Sequence, residues 1–136
     1  MIKQIAAGVV GLGLIGGAGS VAYNDSGDAT VKITNPESGV VQSVTLSGGG
    51  GNYSCPDGTS EKVEPHDIRL GRIQLTMQQV RRQIRTIERR YPGNVAPPAV
   101  VHRYNALADR DDRLVDAYNA EVDARNAIID RDCTPD

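Results

Sequence analysis

A chain of 136 residues with a formal net charge of −2 has room for one small domain plus an appendage, and offers no bulk attraction to nucleic acid or to an anionic surface. Five tyrosines are its only aromatic residues, which argues against a deep, aromatic-lined ligand pocket. The hydrophobic fraction is 39%, and the N-terminal segment uses much of it, leaving a thin core for the rest.

Residues 1–22 have the order of a secretory leader. Met1-Ile2-Lys3 is a basic start, Ile5 to Gly19 is uncharged, and Ser20-Val21-Ala22 places small residues two apart. Cleavage after Ala22 would leave Tyr23 first. A retained anchor is the rival reading: the apolar stretch is about 18 residues, the lower limit for spanning a bilayer. Gly13 and Gly17 have the spacing that packs helices closely in a membrane. An ordinary buried helix is the third reading. All three make the segment an apolar helix. The first two place the remainder outside the cytoplasm, because the nearby basic residue precedes the segment. No Cys follows it, so a lipoprotein-type anchor is unsupported.

Residues 23–46 read as a small β-hairpin segment. Ala29–Thr34 and Val40–Leu46 alternate and are β-branched, and Asn35-Pro36-Glu37-Ser38-Gly39 between them is a run of turn formers. A two-stranded hairpin is marginal alone, so it must pack on something. Residues 47–54 are a Gly-rich linker. Asn52-Tyr53-Ser54 matches the N-glycosylation triplet, a pattern common by chance.

Residues 55–136 predict a disulfide-closed helical hairpin. Leu70, Ile73, Met77, Val80, Ile84, Ile87 and Tyr91 alternate spacings of three and four, an unbroken heptad seam. Pro65 suits a first turn, with Asp67 at the same end of the dipole. Gly71 is an interior weak point, costing about 1 kcal/mol against Ala. Tyr91-Pro92-Gly93-Asn94 stops the helix. The second helix runs from Pro97-Pro98 to about Arg131 and holds four copies of a seven-residue repeat ending in Asp109, Asp116, Asp123 and Asp130. Such a repeat is what packing along another helix requires, and no catalytic unit has that period. A connection of about five residues makes the helices antiparallel. Folding about Asn94 pairs Ile87 with Val101, Val80 with Ala108 and Leu70 with Tyr118, and leaves Met77 poorly matched to Asp111. The first helix is mostly basic and the second mostly acidic, which favours the pairing modestly.

Cys55 and Cys133 fall at the same open end of this hairpin. An even count in an exported chain predicts one bridge. The loop it closes is worth up to about 4 kcal/mol of chain entropy. Two cysteines without a nearby His pair do not make a zinc site.

The fold class expected is therefore mainly α: an antiparallel two-helix coiled-coil hairpin, with an N-terminal apolar helix and a small β-hairpin segment. A homodimer would make it a four-helix bundle. The apolar stripe of the second helix, with Leu107, Leu114, Val122 and Ile128, is wider than one partner helix covers. It calls for a further surface: the β-segment, a second copy, or another helical protein.

No motif commits the chain to a reaction. His66 and His102 lie near opposite ends of the hairpin. The Asp column repeats about every two turns, roughly 10 Å apart, too far for two carboxylates on one bond. Arg81-Arg82-Gln83-Ile84-Arg85 with Arg89-Arg90 suits a phosphate or anionic polymer, or simply a solvated face paired with the acidic helix. No catalytic residue, cofactor site, metal site or nucleic-acid partner is expected, and the membrane enters only through residues 1–22 if they are uncleaved. The expected function is a non-enzymatic structural or protein-interaction module of the cell envelope or secreted space, with a small secreted effector, toxin or inhibitor as the alternative.

Overall fold

The computed structural model describes residues 14–24, 28–47, 53–93 and 95–135. Two long antiparallel helices, α1 (Thr59–Arg90) and α2 (Pro98–Asp132), form the expected hairpin. A three-stranded antiparallel sheet, order β1-β2-β3, packs on α1, with strands β1 (Ala18–Tyr23), β2 (Ala29–Thr34) and β3 (Val41–Leu46). Two short strands, β4 (Tyr53–Ser54) and β5 (Thr134–Pro135), pair where the hairpin opens.

The sheet corrects the expected architecture. No N-terminal apolar helix is present among the described residues: Leu14 to Gly17 run irregularly and Ala18–Tyr23 form a strand against β2. The small residues of the expected cleavage site here suit close packing. At Gly19, a Cβ would collide with Ile68 of α1. Arg72 donates to the carbonyls of Ile15 (3.2 Å) and Gly17 (2.6 Å), and the Ile15 amide donates to the buried Thr76 hydroxyl at 3.1 Å. Leu14 and Ile15 pack against the two apolar clusters. Cleavage after Ala22 would remove these contacts together with most of β1. The first thirteen residues of the expected leader, including Gly13, lie outside the described residues, as do Gly48 to Gly51 and Asn52.

β2 and β3 form as expected. The Asn35 side chain accepts from the amides of Glu37 (2.8 Å) and Ser38 (3.1 Å), and Gly39 takes the positive φ of 72° that closes the turn. Ala29, Val31 and Ile33 point inward while Lys32 is exposed, the two-residue period of a half-buried strand.

Gly71 is where β2 meets α1. A Cβ there would overlap the Val31 side chain, so the residue that weakens the helix permits the sheet's close approach. α1 is thus covered on two sides. Ile73, Met77 and Val80 join Leu107 and Leu114 of α2 in one cluster, and Leu70 and Leu75 join Ala29, Val31, Ile33 and Leu46 of the sheet in another.

α1 begins at Thr59, so Pro65 and Asp67 lie inside it rather than in its first turn. The two helices are nearly equal, at 32 and 35 residues, and no long extended arm is needed to bring Cys55 to Cys133. Three polar pairs across the hairpin, Arg81–Asp111, Asp67–Arg125 and Glu88–Tyr104, are symmetric about Ala96 rather than Asn94. The register is displaced by about one helical turn from the expected one. Met77 is accordingly buried, and Asp111 sits at the seam's edge, held by Arg81 at 2.8 Å.

Candidate interaction surfaces

The open end is fastened by the disulfide between Cys55 and Cys133. Cys133 is the C-cap of α2 and Cys55 lies just before α1, so the bond links two helix ends. The bridge fits an oxidising compartment and hence an exported chain. Among the described residues no helix is long and apolar enough to cross a membrane, so the single-pass reading has no support there. A shallow, almost wholly apolar hollow of 190 Å³ lies beside the disulfide, between Tyr23, Thr59, Val63 and Ile129.

A buried polar node stands one layer inward. Asp67, 1% exposed, accepts from Arg125 of α2 at 2.5 Å and from the Tyr23 hydroxyl of β1 at 2.7 Å. Burial first, and then the Asp67 carboxylate, hold the Tyr23 phenol well above the ordinary tyrosine range. One carboxylate therefore ties three elements together. Among the described residues no buried side-chain polar atom lacks a partner, so the node is complete without a ligand. Val63 and Asp67 continue the seam of Leu70 toward the N-terminus. An acid on a seam position is the sequence signal that a buried cation must face it, and the expectation of a dipole role missed it.

Nearby, Glu121 forms an ion pair with Arg69 at 3.4 Å and a hydrogen bond with His66 Nδ1 at 2.7 Å. His66 is thereby an interhelical contact, and His102 is exposed near the other end. At the rim, hydrogen bonds from Arg131 and Lys62 hold the Asp132 carboxyl below the usual carboxylate range. The four Asp residues of the repeat are all exposed. Among the described residues no group of three or more His, Cys, Asp or Glu gathers as metal ligands would.

The predicted interaction stripe divides. Leu107 and Leu114 are 9% and 0% exposed; they fill the interface with α1 and are closed to a partner. Val122 is half-buried against the sheet's cluster, and Ile128 is half-buried toward the disulfide end. Part of the stripe is thus taken up within the fold: Leu107 and Leu114 in the cluster with α1, and Val122 against the cluster of Leu70 and the sheet. What α2 leaves open is its opposite face, where Ala99, Ala106, Ala120 and Ala127 stand exposed at multiples of seven residues, Arg113 filling the remaining place.

At the closed end the sheet no longer covers α1. Ile84, Ile87 and Tyr91 are only half-buried, and Val95 and Val101 are exposed. A groove of 390 Å³ runs between the helices here, lined by Gln79, Arg82, Gln83, Thr86, Arg90 and Arg103 over a floor of Ile87, Tyr91 and Val100. Arg82 and Arg90 belong to the run that the sequence singles out, whereas Arg103 joins them only through the hairpin fold.

Comparison with protein-family models, with curated proteins and with solved structures finds no match.

Proposed function

We propose that the protein is a non-enzymatic structural or protein-interaction module acting outside the cytoplasm, in the cell envelope or secreted space, and that its first partner is a second copy of itself. The observation that carries this reading is the open outer face of α2. Of its 35 residues only Leu107 and Leu114 are buried, and the exposed alanines recur at heptad spacing. Small residues at that spacing let another helix lie alongside with a close interaxial distance. Two hairpins joined in this way make a four-helix bundle. The disulfide supports the extracytoplasmic part of the reading.

Sedimentation equilibrium of the full chain over a range of concentrations tests it, with Ala106→Glu and Ala120→Glu as variants. A dimer mass that falls to the monomer in the variants supports the reading. A monomer at every concentration, with no crosslink from a photoreactive side chain at position 120 to any protein in the native setting, overturns it.

A further inference from the structure

We propose that the groove at the closed end of the hairpin is a binding site for a phosphate-bearing anion of two or more negative charges. It is independent of whether the outer face of α2 finds a partner.

The charge distribution is lopsided there. Between Arg81 and Arg103 stand six arginines and one acid, Glu88, in a chain whose net charge is −2. Arg81 is neutralised by Asp111. Among the described residues no carboxylate pairs with Arg82, Arg90 or Arg103, the three that line the groove. Arg90 has a structural reason to be where it is, since a cation in the last turn of α1 offsets that helix's dipole. Arg82 and Arg103 have none. Arg103 stands near the start of α2, whose first turn contains no acid, so it adds positive charge beside a positive helix pole.

Three arginines from two helices line one groove, so their like charges repel and a bound anion would relieve that repulsion. The neutral lining, Gln79, Gln83, Thr86 and Tyr91, supplies hydrogen-bonding groups without competing negative charge. The planar fork of arginine suits tetrahedral phosphate oxygens, two at a time. A groove of 390 Å³ is large enough for a phosphoryl group with a substituent and open enough for the substituent to leave it. The exposed Val95 and Val101 beside it suit a lipid source as well as a free phosphate ester.

The test measures two probes on the full, oxidised chain: pyrophosphate by titration calorimetry, and vesicles containing cardiolipin, whose headgroup carries two phosphates, against phosphatidylcholine vesicles by co-sedimentation. Arg82→Gln with Arg103→Gln is compared with Arg131→Gln, an exposed arginine about 42 Å further along α2, outside both the groove and the alanine column. The groove substitutions are of exposed side chains, and an unchanged circular dichroism melt confirms the fold. In whichever arm binds, affinity falls about tenfold per groove arginine and less than about twofold in the Arg131 variant. Binding of pyrophosphate identifies a free phosphate compound as the source, and binding of the anionic vesicles alone identifies a lipid headgroup. No binding in either arm overturns the proposal. So does binding that the groove variant leaves unchanged, or that Arg131→Gln weakens equally.

Discussion

One seam runs the length of α1, yet its two halves have different surroundings. Toward the open end Leu70, Ile73, Met77 and Val80 are buried, whereas toward the closed end Ile84, Ile87 and Tyr91 remain half-exposed. The residue types and their spacing hardly change. What changes is the third layer: β2 and β3 lie on α1 around Gly71 and stop short of the tip. A two-helix pair buries only one stripe of each helix, and a second face is needed to close the core. The clad half therefore carries the fold's stability, and the bare half presents its arginines and valines to whatever it meets.

The sharpest way to break the clad half is Asp67→Ala. It leaves Arg125 largely buried without its carboxylate and frees the Tyr23 hydroxyl, so a loss of about 4 kcal/mol in denaturant unfolding is expected. Next comes a matched pair along the same seam. Ile73→Ala removes a fully buried side chain and costs about 3 kcal/mol, while Ile87→Ala, at the bare end, costs about 1 kcal/mol. Equal losses at the two sites would show that the halves do not differ as described. The smallest effect is one of pH. The Tyr23 phenol is raised in the fold, so the folded state holds its proton more tightly than the unfolded chain does. Its contribution is complete below the unfolded value of about 10 and is lost as pH rises through the folded one. Unfolding titrations at about pH 9 and about pH 11 should therefore show the stability gap between the native chain and Tyr23→Phe narrowing.

The sequence made the repetitive parts of this comparison legible. A seven-residue period and an alternating pair of strands identify the hairpin and β2–β3, because those periods are the geometry of the elements themselves. The pairing of Cys55 with Cys133 follows once the helices are antiparallel. β1 was hidden because Gly19, Ser20 and Ala22 read equally well as a leader's end and as a strand pressed against a helix, and its anchors, Arg72 and Thr76, lie more than fifty residues away. The start of α1 was misplaced because Pro65 looks like a first-turn residue. Gly71 reads as a defect until its neighbour across the layer, Val31, is known. Of the basic groove, Arg82 and Arg90 stand in a visible run, but no local pattern connects Arg103 to them.

The disulfide has a consequence for the covalent path of the chain. From Cys55 through both helices to Cys133 the backbone is a closed ring, and everything before Cys55, the sheet included, is a tail attached to it at one point. A protease that nicked the chain at the exposed Pro92-Gly93 would open the ring without releasing a fragment, since the two halves would still share the sulfur bond. The same nick made after reduction would separate α2 from the remainder. The bond at one end of the hairpin thus decides whether damage at the other end divides the protein.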